Sequence, residues 1–240
     1  MNDGATEGGR MAEGYYVSRR RKLLKAFDKT ARIVRGVFVK RYGADFTETL
    51  EKEVRREYET LIPEIPYLGR DAPPALKEFM VVVAQELAFY RAMKRQGKGA
   101  KEAWEMCHEA LKTRLRRIPW ILRRFMGWVL FSDFIRRRAP KVATKSQQHP
   151  FGAFAWRYVE GDGVSFDWGV DYTGCSIYEF LKEQGAQEFA PYVCLTDVAM
   201  SDTFGWGLIR TMTLADGYDR CDFRFKKGGP TKISSKVRGG

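Results

Sequence analysis

Apolar positions keep a helical spacing from about residue 16 to about residue 149, and an alternating one begins just beyond it. Leu23, Leu24, Phe27, Ala31, Val34 and Phe38 fall on one face of a helix whose other face is filled by Arg and Lys. Residues 45–61 carry mixed charge, with Glu48/Lys52 and Glu51/Arg55 at the i, i+4 spacing of a solvated helix. Pro63, Pro66, Pro73 and Pro74 then punctuate the chain. A helix follows over about 74–96, with Phe79, Val82, Val83, Leu87 and Tyr90 on its buried side and Gly97 as its stop. Further helices are predicted over 100–116 and 119–138. The most apolar run, Pro119–Phe131, is too short to cross a bilayer and, with Arg123, Arg124 and Asp133, too charged. It reads as a buried helix whose basic end, Arg136, Arg137 and Arg138, suits a helix C-terminus. An amphipathic helix lying on a membrane surface is the alternative.

Beyond Pro150, Phe154, Trp156 and Tyr158 alternate with polar residues, as do Val164, Phe166, Trp168, Val170 and Tyr172. Glu160-Gly161-Asp162-Gly163 between the runs signals a hairpin, so two antiparallel strands are expected. Helical spacing returns at 176–185 and at 186–204, where Pro191 marks a helix start. Residues 207–214 read as a third strand, and Cys221–Phe225 as a fourth after the turn at 215–218. The expected fold is therefore α+β: an N-terminal helical layer followed by a small antiparallel sheet with inserted helices. In chain order this means a disordered tail over 1–14, a helical region over 15–149, a motif-bearing α+β region over 150–225 packed on it, and a disordered basic tail over 226–240.

Composition refines this outline. Four cysteines in 240 residues are too few for a disulfide scaffold, and residues 1–14 are Gly-, Glu- and Asp-rich rather than a secretory signal. A cytoplasmic protein with reduced thiols is the expectation. The net charge of +12 is uneven: residues 150–225 hold 5 Lys/Arg and 12 Asp/Glu, and the rest of the chain 37 and 18. Such asymmetry fits nucleic-acid or anionic-membrane contact, or a basic helical layer docking an acidic one. Nucleic-acid-binding motifs are missing, which favours the second. Phosphate-binding loops, dinucleotide fingerprints, nucleophile elbows and His-Glu-x-x-His helices are also missing, so no cofactor is expected.

Three thiols carry the chemistry. Cys175 follows a predicted strand and opens a predicted helix, where the helix dipole would lower its pKa. Cys194 and Asp197 are three residues apart in a helical segment, so both would project from one face. Cys221, Phe223 and Phe225 share one side of a strand and Asp222 and Arg224 the other. Wide separation, with no close Cys pair and no nearby His, argues against zinc, and no metal is expected. A site of three cysteines completed by Asp197 is the metal alternative. His108 and His149 are poorly placed for a Cys–His dyad. Arg210 and Thr211 could recognise a substrate carboxylate, and Thr173 joins them as a binding candidate.

These motifs resemble the L-2-amino-thiazoline-4-carboxylic acid hydrolase family. The likeness is carried by Phe166-Asp167-Trp168-Gly169-Val170-Asp171-Tyr172-Thr173-Gly174-Cys175, by Tyr192-Val193-Cys194 with Asp197, by Arg210-Thr211-Met212-Thr213-Leu214, and by Gly217 through Cys221-Asp222-Phe223-Arg224. Weaker similarity reaches back through Leu87–Leu111, so about 75–225 is covered. The resemblance implies a cytoplasmic hydrolase of a small heterocycle, or a relative with a changed substrate. In the namesake reaction water adds to the amidine-like C2 of a thiazoline, and the ring opens at the C–S bond. By that resemblance, Cys175 or Cys194 would attack C2, or Asp197 would activate water while a cysteine protonates the leaving sulfur. Cys221 belongs to the same constellation, and Arg210 would hold the substrate carboxylate. A more distant likeness to four-vinyl-reductase-type domains implies a non-enzymatic small-molecule- or metal-binding role instead.

Overall fold

A computed structural model describes residues 14–234. The expected disorder of 1–13 and 235–240 lies outside the described residues. The chain divides into two compact units, one ending at Ala110 and one beginning at Leu111. The helices after 119 thus count with the sheet, not with the helical region bounded at 149 by the apolar pattern.

The first unit contains α1 (Arg20–Tyr42), α2 (Ala44–Leu61), α3 (Pro74–Arg95) and most of α4 (Ala100–Arg116). Helix α2 packs on both α1 and α3. Its buried stripe of Thr47, Leu50, Val54, Tyr58 and Leu61 recurs every three or four residues, the spacing that keeps one face of a helix inward. Leu24, Val34 and Phe38 of α1, and Met80, Val83 and Leu87 of α3, are buried as well. Lys52 and Glu48 form the expected pair at 2.7 Å. The other expected pair does not form. Glu51 pairs with Arg35, and Arg55 turns to Asp28 at 2.9 Å. A partner on a neighbouring helix was closer than one on the same helix.

The second unit begins with α5 (Trp120–Leu130) and α6 (Asp133–Gln148) where one helix was expected over 119–138. Ser132 stops the first and caps the second, its Oγ accepting from the Ile135 N–H. Only Gly127 of α5 is buried, so the expectation of a buried helix fails. The sheet follows: β1 (Ala155–Glu160), β2 (Trp168–Gly174), β3 (Leu208–Arg210), β4 (Cys221–Phe225) and β5 (Lys232–Ile233), in the order β1-β2-β4-β3-β5. The first four pair antiparallel as expected, and β5 adds a parallel edge beside β3. Lys232 and Ile233 therefore join the sheet, where a tail was expected. Between β2 and β3 run α7 (Ser176–Glu183), α8 (Ala190–Val193) and α9 (Thr196–Phe204).

Antiparallel partners share a face, so Trp156, Tyr158, Trp168, Val170, Tyr172, Cys221, Phe223 and Phe225 make one aromatic surface. The Trp168 and Phe225 rings lie 4.7 Å apart, and those of Tyr172 and Phe223 5.4 Å. The opposite face is charged, with Asp171 and Arg224 paired at 2.8 Å. Helix α6 packs on β1 through a buried hydroxyl: Ser146 Oγ accepts from the Trp156 N–H at 3.1 Å and donates to the Ala143 carbonyl at 2.7 Å. The β1–β2 connection is longer than a tight hairpin. Asp162 holds it by accepting from the N–H groups of Val164, Ser165 and Phe166, and the Ser165 side chain first, then these N–H groups, lower its pKa to about 2.

Candidate functional site

The register of the sheet assembles the site. Tyr172 of β2 faces Cys221 of β4, and β3 lies on the other side of β4 with Arg210 at its end. Gly174 closes β2. A Cβ there would fall 2.3 Å from the Ala153 carbonyl oxygen, so only glycine lets the strand end against that backbone. Ser176 fixes the same corner: its buried hydroxyl accepts from the Ala153 N–H at 2.8 Å. Between them sits Cys175, extended in backbone, at the start of α7.

The inserted helices bring the remaining groups. Cys194 ends α8 and Asp197 lies in the first turn of α9, so the continuous helix expected over 186–204 breaks between them. What joins them is Arg210. Its Nη1 donates to Asp197 Oδ2 at 2.8 Å and its Nη2 to the Cys194 carbonyl at 2.7 Å. The Arg210 side chain is 1% exposed, and its guanidinium carbon sits 5.1 Å from the Phe223 ring centroid. Two charge-assisted bonds and an aromatic face make a buried guanidinium tolerable here.

All three thiols are free, and all have their pKa raised from 9.0 to about 12. Burial is the main cause in each, because a thiolate loses hydration that the neutral thiol hardly needs. Cys175 is raised further by Cys194, against the opposing N–H groups of Tyr178 and Ile177 at the helix start. For Cys194, Arg210 opposes the shift while Cys221 and Asp197 add to it. Cys221 Sγ accepts from the Leu214 N–H at 3.2 Å, which favours thiolate but does not overcome burial. The expected lowering of the Cys175 pKa by the helix dipole is thus outweighed. Desolvation also pushes Asp197 up despite Arg210. Tyr172 is raised by burial and then by Asp197, Cys175 and Cys221.

Arg210 ties Asp197 to the Cys194 carbonyl, Tyr172 faces Cys221 across the strands, and Cys175 lies near enough to influence the ionisation of Cys221 and Tyr172. Thr211 and Thr173 are not with them. Thr211 lies on the charged face, donating its Oγ1 to Asp222 Oδ2 at 2.6 Å, and exposed Thr173 turns to the Ala155 carbonyl at 3.4 Å. Arg210, expected to hold a substrate carboxylate, has its fork on Asp197 and the Cys194 carbonyl. Among the described residues no group of three or more His, Cys, Asp and Glu side chains forms a metal site, so the three-cysteine metal alternative has no ligand set there. Tyr172 is the member that sequence reasoning missed as a site residue. The signal was alternation along β2, but its pairing with Cys221 depends on strands 49 positions apart.

The second unit is thus an α+β unit in which inserted helices carry Cys175, Cys194 and Asp197 and the sheet carries Cys221 and Arg210. The model of the L-2-amino-thiazoline-4-carboxylic acid hydrolase family matches residues 77–225, and the chain belongs to that family. Membership supports a hydrolase-like function. No curated protein and no solved structure gives a significant match.

Proposed function

We propose that this protein is a hydrolase that opens or cleaves a small heterocyclic or amidine-like substrate at a C–N or C–S bond, using Cys175, Cys194, Asp197 and Cys221. The observation that carries this reading is the gathering of three thiols and Asp197 from four separate elements around one buried arginine. Asp197 keeps 32% of its side-chain surface accessible although loss of hydration raises its pKa, which suits a carboxylate that takes a proton from water.

Thiols with pKa near 12 are neutral at physiological pH. That favours the version in which Asp197 activates water and a neutral thiol acts as proton donor. Applied to the family's namesake substrate, the water oxygen bonds to C2 and the C2–S bond breaks. One water proton ends on the ring nitrogen and the other on sulfur, giving an N-carbamoyl cysteine. Asp197 and the thiol relay protons and return to their starting states. Arg210 is a positioning residue that aims Asp197.

Turnover of L-2-amino-thiazoline-4-carboxylate, followed by chromatography of the quenched mixture, tests this. Asp197→Asn should lower kcat by about 100-fold or more, the usual worth of a general base. Cys175→Ala, Cys194→Ala and Cys221→Ala assign the donor. Full turnover by Asp197→Asn together with all three Cys variants would sink the proposal. Absence of turnover for cyclic amidines, with ligand binding unchanged in Cys175→Ala, Cys194→Ala and Cys221→Ala, would instead support the non-enzymatic binding domain.

A further inference from the structure

We propose that α5 and the start of α6 form a docking surface for an anionic lipid bilayer. Among the described residues, nearly all large apolar side chains left exposed lie between 120 and 134, Val17 and Val164 being the exceptions. Trp120, Ile121, Phe125, Trp128 and Phe134 are each more than half exposed. This is not a core helix that lost its partner. Gly127 seats α5 on α9, where a Cβ would fall 2.0 Å from the Phe204 carbonyl oxygen. At about 100° per residue, Phe125 and Val129 then point away from that seat, with Ile121, Leu122 and Trp128 on the same outward arc. The apolar arc faces away from the body of its own unit.

The charge around this arc selects the occupant. Residues 116–138 contain seven arginines and one acidic residue, Asp133. Arg116, Arg117, Arg124, Arg137 and Arg138 are exposed, and Arg138 lies 5.9 Å from the Phe134 ring centroid. Arg136 is paired with Glu160 at 3.5 Å. A second copy of this face would bring like charges together around the apolar arc. A polyanion such as nucleic acid would satisfy the arginines and leave Ile121, Leu122 and Phe125 in water. A bilayer with anionic headgroups satisfies both, because tryptophan and phenylalanine enter the headgroup–acyl boundary while arginines remain at the phosphates. No helix among the described residues is long and apolar enough to cross a membrane, so the contact is peripheral.

Flotation of the whole protein with vesicles of phosphatidylcholine alone, or with added phosphatidylserine, tests the proposal. Binding should require phosphatidylserine, weaken steeply with salt, and shift the tryptophan emission to the blue. Neutralising exposed arginines one at a time in Arg124→Gln, Arg137→Gln and Arg138→Gln should weaken partitioning about fivefold each. Phe125→Ser should abolish it with the circular dichroism unchanged. Equal binding to both vesicles, or none to either, overturns the proposal. So does a dimer in solution that Phe125→Ser makes monomeric, which would assign the face to self-association.

Discussion

The Arg210–Asp197 pair is lopsided in its exposure, and that asymmetry has a measurable consequence. Arg210 is 1% exposed and Asp197 32%. Asp197→Asn keeps the shape and leaves a buried cation facing only neutral acceptors, so it should cost about 3–5 kcal/mol. Arg210→Met leaves a carboxylate that water reaches and that can protonate, and orphans the Cys194 carbonyl. Its cost should be smaller, about 1–3 kcal/mol. In a chain of this size each kcal/mol moves Tm by roughly 2–4 °C, so the first substitution should lower Tm by about ten degrees. Asp197→Leu with Arg210→Met removes both charges and should recover part of the loss. Five of the six tryptophans (120, 128, 156, 168 and 206) follow residue 110, so fluorescence-monitored denaturant unfolding reports mainly on the second unit. If Asp197→Asn costs less than Arg210→Met, or less than about 0.5 kcal/mol, the buried-cation argument is wrong.

Three further outcomes follow from the same structure. Iodoacetamide at pH 8 should modify the native thiols roughly a thousandfold more slowly than the denatured ones, since pKa values near 12 rather than 9.0 reduce the thiolate fraction by that factor; comparable rates by mass spectrometry would contradict the burial of the cluster. The native state holds these thiol protons more tightly than the unfolded chain. Their contribution to stability is therefore complete below pH 9 and lost as pH rises toward 12, visible as a falling Tm that Cys194→Ala and Cys221→Ala should flatten. Gly127→Ala should destabilise the second unit by about 1–3 kcal/mol through the clash with Phe204, and a neutral result in thermal melting would deny the close seat of α5 on α9.

How much was legible beforehand varies by element. Residues 45–61, 74–96 and 100–116 match α2, α3 and α4 almost to the residue, because an amphipathic period and its Pro or Gly stops are written locally. Alternation likewise located β1, β2 and β4. Pairs of charges were less legible: Glu48 found Lys52, while Glu51 and Arg55 took partners from α1 that no spacing within one helix reveals. The most apolar run was misplaced for a similar reason. Its composition suggests burial, and only the fit of Gly127 against Phe204 decided which way the helix turned.

For the site, sequence alone singled out Cys175, Cys194, Asp197, Cys221 and Arg210 as candidates, all within the stretch that the family model matches. Tertiary structure alone decided their states. A helix start predicts an acidic thiol, but burial beside other thiols and a carboxylate makes a neutral one, because desolvation depends on neighbours brought in by distant strands. The same non-local pairing turned Arg210 inward to Asp197 and sent Thr211 to the opposite face, since a strand's alternation separates adjacent residues but does not say which side closes over the site.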